Sequence, residues 1–319
     1  MNLTVSSSPH IRGNDSTKRI MRDVNLALMP ALIFGVAHFG LRALLVTAVC
    51  ILAALLSELA ANKWIFRDNR ELDGSAFVTG MLLAMTLPST VPLWLAALGS
   101  VFAIIVVKAL CGGLGQNMFN PALAARAFMV MVFPAGMVRY FGTSGWFGTV
   151  DAATTATPLH HMVMPNLPEQ SVLDMFLGNT PGSIGEVSAL LLLLGGAYLV
   201  YKKIISLRIP GAYLGTVAVL TLIFHKTDSA ILWMVYSLLS GGVMLGAIFM
   251  ATDYATSPVT PVGQIVYGVG CGVLTVIFRY FGLFPEGVTY AILIMNGLSW
   301  AIDRYTPPVR YGMKKGGAA

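Results

Sequence analysis

The stretch from residue 91 to residue 111 reads VPLWLAALGSVFAIIVVKALC and contains a single charged side chain, Lys108. A helix needs about 20 consecutive apolar residues to cross the hydrocarbon core of a bilayer, and this run has that length and composition. Of all 319 residues, 56% are hydrophobic and only 11% are charged. Because soluble proteins carry about 25% charged residues, the sequence predicts a helical membrane protein.

Ten apolar runs of this kind predict ten membrane spans. They form one integral membrane domain (24–303) between an N-terminal tail (1–23) and a C-terminal tail (304–319). We place the spans near residues 24–39, 41–60, 75–87, 91–111, 121–137, 186–201, 209–224, 230–251, 262–281 and 287–302. Because the first twenty residues are polar and charged, no cleavable signal peptide is expected.

The distribution of Lys and Arg predicts the orientation of these spans, because positive residues are retained on the cytoplasmic side. The side that holds both termini collects most of the basic residues, including those of the tails and of the segments 62–74 and 202–208. The opposite side receives only Arg42, Arg139, Lys226 and Arg279. Both termini are therefore predicted to be cytoplasmic, and a long loop (138–185) faces outward. The net charge of +6 arises at helix ends rather than in a basic patch interleaved with aromatic residues, so nucleic acid is not an expected partner.

An internal repeat is indicated by three residues that recur in the same order and spacing. Gly80, Thr86 and Pro92 correspond, after a shift of 166 residues, to Gly246, Thr252 and Pro258. Each half then holds five spans, an odd number, so the second half would insert upside down relative to the first. We expect two inverted five-helix repeats.

The outer loop contains the segment 151–159, which reads DAATTATPL. Pro158 disfavours helical geometry at the residue before it, so Thr157 is expected to be extended and accessible. A hydroxyl with small neighbours and a nearby carboxylate, Asp151, suits attack on a phosphate that is brought by an external transferase and bridged by a metal ion. Residue chemistry alone favours a polar surface loop over an attachment site.

The same segment resembles a known modification motif. Asp151-x-x-Thr154-x-Ala156-Thr157 is similar to the flavinylation motif Asp-x-x-(Ser/Thr)-Gly-Ala-Thr, in which the last Thr receives FMN through a phosphoester. The motif occurs in the D subunit of the Rnf complex and in the B subunit of the sodium-pumping NADH:quinone oxidoreductase. Thr155 stands where the motif prefers Gly.

Other segments extend the resemblance over essentially the whole chain. Residues 112–123, GGLGQNMFNPAL, resemble the Gly-Gly-x-Gly-x-Asn-x-x-Asn-Pro-Ala signature of both subunits, and residues 87–94, LPSTVPLW, resemble their Leu-Pro-x-x-x-Pro-Leu-Trp segment. Residues 8–10, SPH, resemble the start of the Rnf protein. The longer N-terminal extension of the quinone-reducing pump is absent from this sequence, so the Rnf D subunit is the closer fit.

The resemblance implies a fold of ten transmembrane helices in two inverted halves, related to urea transporters. It also implies FMN on Thr157, installed by a flavin transferase that recognises Asp151 and Thr154, with Ala156 as a further residue of the motif. The family works in the bacterial cytoplasmic (inner) membrane, together with the A, B, C, E and G subunits of the Rnf complex, and couples electron transfer between ferredoxin and NAD to Na⁺ or H⁺ movement. Some members also hold a noncovalent riboflavin.

Further residues in the spans are candidate ligands or structural groups. Asn120 before Pro121 predicts a helix N-cap, and the Gly-rich turn before it aims amide groups at an anion or flavin phosphate. Arg126 in the fifth span, like Asn120, is a candidate for a second flavin or an ion path, or else a structural partner. Glu58, Asp253 and Asp303 suggest either paired acids or a cation path. No residue is predicted to be catalytic, and the three cysteines lack the spacing of a metal site.

Two other functions stay open at this point. A component like the B subunit of a Na⁺-translocating NADH:quinone oxidoreductase would share the same motifs. A channel or facilitator for a small neutral solute would share the inverted repeat. Flavin fluorescence of the denatured chain on a gel distinguishes the facilitator from the flavoprotein.

Overall fold

The computed structural model describes residues 16–67, 73–137, 157–163, 167–168, 170–186, 188–282 and 287–307. All regular secondary structure within these ranges is helical. Among the described residues, three helices are long and apolar enough to cross a membrane by length and composition: Thr17–Phe39, Leu41–Phe66 and Pro261–Phe281. The prediction of an all-helical membrane protein is therefore consistent with the structure.

The helices of the N-terminal half begin close to the predicted positions, except that the first begins at Thr17, seven residues earlier than predicted and inside the predicted tail 1–23. They are α1 (Thr17–Phe39), α2 (Leu41–Ala61, continued by a π-helical turn at Asn62–Phe66), α3 (Ser75–Thr86), α4 (Leu93–Val101, continued as a π-helix over Phe102–Ala109), α5 (Pro121–Val132) and α6 (Pro134–Met137). Twelve residues give α3 a length of only about 18 Å. A bilayer core is about 30 Å thick, so α3 is too short to cross it alone.

The remaining helices follow the outer loop. They are α7 (Pro158–Val163), α8 (Val172–Leu177), α9 (Ala189–Tyr201), α10 (Arg208–Ile223), α11 (Ala230–Leu239), α12 (Val243–Leu245, continued as a π-helix over Gly246–Met250), α13 (Pro261–Phe281) and α14 (Val288–Tyr305). Each predicted span thus coincides with a helix or with two consecutive helices.

Hydroxyl and amide side chains fix several of the helix starts. Ser16, Asn120, Ser188, Ser229 and Thr260 each accept a hydrogen bond from a backbone N–H in the first turn that follows. These bonds satisfy donors that have no partner inside a helix. At α5 and α13 the cap is followed directly by proline, whose fixed φ suits the first helical position.

The eighth predicted span is broken rather than continuous. Helices α11 and α12 meet at an angle of 63°, with Ser240, Gly241 and Gly242 between them. Gly241 and Gly242 have φ values of +65° and +67°, in the left-handed region that glycine enters without steric cost. The predicted span over residues 230–251 is therefore matched by two helices at an angle, because two consecutive glycines end α11 and turn the chain. We call residues 240–242 the helix break.

The two halves pack in a similar way. In the first half, α2 contacts α3 and α4. In the second half, α10 contacts α13 and also the π-helix that continues α12. Between the halves, α1 packs on α9 and α5 packs on α14. A Cβ at Gly195 would lie 2.3 Å from the carbonyl oxygen of Ala27, so glycine permits the close approach of α9 to α1.

The end of the outer loop folds back onto α3. The backbone N–H of Ile184 donates to the carbonyl of Leu87 (3.1 Å), and that of Gly185 donates to the carbonyl of Met85 (2.8 Å). Met85, Leu87 and Ile184 are fully buried. The segment before α9 is therefore part of the core, and it carries Glu186 to the helix break.

Candidate functional site

Thr157 is the one residue of the flavinylation motif within the described part of the chain. Asp151, Thr154 and Ala156 lie outside the described residues. Thr157 immediately precedes α7 and is half-buried, while Pro158 after it is buried. It lies outside any helix, as its position before proline predicted.

A small cavity adjoins Thr157, and we call it the Thr157 cavity. It encloses about 20 Å³, room for about one water molecule. Its polar lining comes from Thr157, Thr180, Glu186 and Ser240, and Gly241 also lies on its wall. Thr157 therefore lines a polar recess beside the helix break.

Charged groups complement the two helix ends at the break. Arg279 donates from Nη1 to the carbonyl of Ser237 (2.6 Å) and from Nη2 to that of Ser240 (2.7 Å), both at the C-terminal end of α11. A Cβ at Gly242 would lie 2.5 Å from Oε1 of Glu186, so this carboxylate approaches the N-terminal end of α12. A cation at a helix C-terminus and an anion at an N-terminus are both favourable.

Arg126 belongs to this same region. Its Nη1 lies 3.7 Å from Oε1 of Glu186, and the two side chains are only 7% and 9% exposed. The predicted alternative of a structural partner is thus realised, because Arg126 forms a buried ion pair. The structure separates Arg126 from Asn120, which lines a different cavity.

Asn120 begins α5 as the sequence predicted. Its Oδ1 accepts hydrogen bonds from the N–H groups of Ala122 (3.1 Å) and Leu123 (3.3 Å), and its Nδ2 donates to the carbonyl of Met250 (3.2 Å). The amide of Asn296 satisfies its neighbours when its nitrogen faces the carbonyl of Ile292. In that orientation, the backbone N–H of Asn120 donates to Asn296 Oδ1 at 3.1 Å. This amide cluster joins α5 to α14 and to the end of the π-helix that continues α12.

The cavity beside Asn120 is larger and has mixed chemistry. It encloses about 80 Å³ and is lined by apolar residues of α1, α3 and α9 together with Lys108, Asn117 and Asp253. Asn117 Oδ1 has no hydrogen-bond partner among the described residues, although it is buried. A buried acceptor without a partner costs free energy, so it is a position where a ligand donor would be stabilising. We call this space the Asn120 cavity.

A second buried ion pair borders the Asn120 cavity. Lys108 Nζ lies 2.5 Å from Glu58 Oε1 and 2.5 Å from Ser75 Oγ, and Ser75 in turn donates to Asp73. Lys108 also lines a neighbouring cavity of about 130 Å³, together with Glu58 and Asp73. Glu58 is therefore a paired acid rather than an isolated one.

The two other acids singled out in the sequence have backbone partners. Asp303 Oδ1 accepts from the N–H of Val259 (3.2 Å) and of Thr260 (3.4 Å), where α13 begins. Asp253 accepts from the N–H of Ala255 and from the hydroxyl of Thr256. Within the described ranges, no group of three or more His, Cys, Asp or Glu residues could hold a metal ion.

Sequence reasoning missed Glu186 and Arg279 as parts of the Thr157 environment. It used Arg279 only to count charges and Glu186 only to start a span. An acid and a base inside or beside apolar runs were signals that could have indicated pairing. Nothing in the sequence placed them at the same helix break.

Comparison with known proteins gives the following relationships. The sequence model of the NQR2, RnfD, RnfE family matches residues 4–312. The chain is 47% identical to the D subunit of the Na(+)-translocating ferredoxin:NAD(+) oxidoreductase complex of Acetobacterium woodii, covering 99% of this chain and 97% of the relative. It is 44% identical to the D subunit of the proton-translocating ferredoxin:NAD(+) oxidoreductase complex of Clostridium ljungdahlii (98% and 97%) and 37% identical to the D subunit of the ion-translocating oxidoreductase complex of Halorhodospira halophila (98% and 96%).

Proposed function

The chain belongs to the NQR2, RnfD, RnfE family, and we propose that it is the membrane flavoprotein subunit of an ion-translocating ferredoxin:NAD oxidoreductase, with covalent FMN on Thr157. The resemblance indicated by three separated motifs is thereby confirmed. Relatives named as D subunits match along nearly their whole length, which favours this role over that of a quinone-pump B subunit. Their names specify Na⁺ in one case and protons in the other, so they leave the coupling ion of this chain open.

The observation that carries the flavin proposal is the placement of Thr157. Its hydroxyl belongs to a half-buried residue on a polar recess, and two buried guanidinium groups lie at the adjoining helix break. Guanidinium groups near Thr157 would stabilise the phosphate anion of a phosphoester, although the recess itself, at about 20 Å³, has no room for the phosphate. When bound, the flavin supplies one-electron transfer; the chain supplies attachment, position and electrostatics. Asp151 and Thr154 remain the proposed recognition residues of the transferase, and Ala156 remains part of the proposed motif.

The proposed architecture is ten transmembrane helices in two inverted halves, as in urea transporters. The 166-residue shift pairs α2 with α10, α3 with α12, α4 with α13 and α5 with α14. The contact of α2 with α4 recurs as that of α10 with α13. The paired helices α5 and α14 also contact each other, as expected of two equivalent helices near a two-fold axis. Short helices such as α3 and α12 are typical of the discontinuous spans of inverted repeats.

The proposed location is the bacterial cytoplasmic (inner) membrane, with cytoplasmic termini and Thr157 toward the outer face. The excess of Lys and Arg on the side of the termini supports this orientation. The proposed partners are the A, B, C, E and G subunits of the Rnf complex, membrane lipid, and the flavin transferase during maturation.

The Asn120 cavity is the proposed contact for one edge of a noncovalent riboflavin, because its volume of about 80 Å³ is too small for the whole molecule. Its apolar walls suit an aromatic ring, and Asn117 Oδ1 is an acceptor for a polar ring edge, whereas the Asn120 amide is already engaged with the backbone. Arg126 is not part of this cavity. Riboflavin that acid releases from the wild-type complex but not from an Asn117→Leu complex would support this position.

The central test is covalent labelling of Thr157. The complex is purified from cells that contain the transferase, denatured and run on a gel. We expect a fluorescent band for this subunit, and Thr157→Ala should abolish the fluorescence while the subunit still inserts. Thr180→Ala, at the same cavity, is the matched control and should keep the label. A dark wild-type band would favour the facilitator function instead, and a labelled Thr157→Ala band would move the attachment to another residue.

A further inference from the structure

Lys108 forms part of the wall between two cavities. One is the Asn120 cavity, of about 80 Å³. The other, which we call the Glu58 cavity, encloses about 130 Å³ beside the segment 62–74 that connects α2 to α3. Since a water molecule needs about 10–15 Å³, both spaces have room for several waters. Lys108 and Leu114 line both cavities, so Lys108 is the polar group shared by the two sets of described lining residues.

A continuous chain of hydrogen bonds passes through Lys108. Its Nζ donates to Glu58 Oε1 and to Ser75 Oγ, in both cases at 2.5 Å. The Ser75 hydroxyl in turn donates to Asp73, which lines the Glu58 cavity. Lys108, Glu58 and Ser75 are all buried, so bulk water does not compete for these bonds. Chains of ionisable groups inside a membrane protein are typical of proton paths.

Each cavity also has a buried acceptor with unused bonding capacity. Glu58 Oε2 and Asn117 Oδ1 have no hydrogen-bond partner in the part of the chain that the structure describes. Glu58, only 7% exposed, lines the Glu58 cavity, and Asn117, only 4% exposed, lines the Asn120 cavity. Because an unsatisfied buried acceptor costs free energy, each position is suited to water or to another donor of a hydrogen bond. Lys108 therefore lies between two spaces that can both hold proton-carrying water.

The ammonium group of Lys108 favours protons over metal cations at this boundary. It lies 2.5 Å from Glu58 Oε1, where it repels a metal ion and occupies the place that the ion would take. An ammonium group can also release a proton and take one back, and buried lysines are used in this way as acids and bases. We propose that Lys108 relays protons between the Glu58 cavity and the Asn120 cavity, and that Glu58 reloads it. This inference rests on the proposed role of the chain in an ion-translocating complex.

One transfer returns every group to its starting state. The Glu58 carboxylate takes a proton from water in the Glu58 cavity at Oε2, the oxygen without a partner among the described residues. Lys108 releases a proton from Nζ to water in the Asn120 cavity and becomes a neutral amine. The protonated carboxyl group of Glu58 then rotates and passes its proton to this amine, which restores the carboxylate and the ammonium. The net result is one proton moved from one cavity to the other.

The experiment measures proton movement by the purified complex in lipid vesicles. Reduced ferredoxin and NAD drive the complex, a pH-sensitive dye inside the vesicles reports protons, and uptake of radioactive Na⁺ is measured in parallel. Lys108→Arg keeps a buried cation beside Glu58, but a guanidinium does not release its proton. Proton movement should fall about 100-fold or more, because a positioned proton-transfer group typically contributes that much. Lys63→Arg, at an exposed lysine of the same connection, is the matched control and should move protons at the wild-type rate.

The double variant Lys108→Met/Glu58→Leu provides a second test that does not depend on an arginine fitting the site. It replaces the pair by apolar side chains, so it should stay folded and yet lose proton movement. A purely structural pair predicts wild-type proton movement in every variant that melts like wild type. The relay is overturned if either variant is folded and moves protons at the wild-type rate, or if the wild-type complex moves Na⁺ and no protons.

Gel fluorescence of the same samples separates the relay from the flavin proposal. A wild-type subunit without label at Thr157 would overturn the flavin attachment, whereas the vesicle measurement would still decide on the relay. A labelled Lys108→Arg subunit that no longer moves protons would support both proposals.

Discussion

Removal of Lys108 should destabilise the protein strongly, because its partner Glu58 would remain buried without its counter-charge. The two side chains are only 7% and 9% exposed, and Nζ and Oε1 are 2.5 Å apart. Deleting one member of a buried pair typically costs about 3–5 kcal/mol. We therefore expect Lys108→Met to lower the free energy of unfolding by this amount. With about 2 °C per kcal/mol for a large chain, the apparent melting temperature should fall by about 6–10 °C.

The assay heats the purified complex in detergent to a series of temperatures. Size-exclusion chromatography then measures how much of the subunit remains folded and soluble after each step. Lys63→Met, at an exposed lysine, is the matched control and should change stability by less than about 0.5 kcal/mol. The double variant Lys108→Met/Glu58→Leu should recover much of the loss, because an apolar pair leaves no buried charge. If Lys108→Met melts like wild type, or if the double variant melts no higher than Lys108→Met, the reasoning about this pair is refuted.

Two further predictions concern the helix break and the start of α5. Gly242→Ala should destabilise by at least about 1–2 kcal/mol, because the new Cβ meets Glu186 at a φ of +67°. Gly211→Ala, inside α10 with open space around its Cα, is its control and should be neutral or stabilising in the same thermal assay. Asn120→Ala should cost about 1 kcal/mol through the lost N-cap. Asn120→Ser keeps a neutral cap acceptor without the amide, so it should melt above Asn120→Ala; equal melting would assign the loss to the bond with Met250 instead.

Much of the helical architecture was predictable because the membrane imposes a simple rule. Apolar runs near twenty residues predict spans, and each predicted span contains a helix in the structure. Asn120 was also predictable, since an Asn-Pro pair after a Gly-rich turn is a local signal for a helix start. These features depend on a few neighbouring residues, so the sequence alone carries them.

The helix break and its charges were not predictable in the same way. Hydropathy is the same for a straight and a bent span, and only the pair Gly241–Gly242 signalled the bend. The ion pair between Arg126 and Glu186 joins residues from different spans, which no local pattern connects. For Thr157, the motif indicated the residue, whereas the recess around it depends on tertiary packing.

The order of synthesis determines when the helix break is complete. Thr157 leaves the ribosome well before Gly241 and long before Arg279, the last of the charged residues at the break to be made. In the proposed orientation, the threonine can therefore reach the outer face while its recess is still incomplete. A transferase that acts at this moment meets an open hydroxyl, and one that acts later meets a finished pocket. Truncating the chain before α13 would reveal which of these two substrates the transferase prefers.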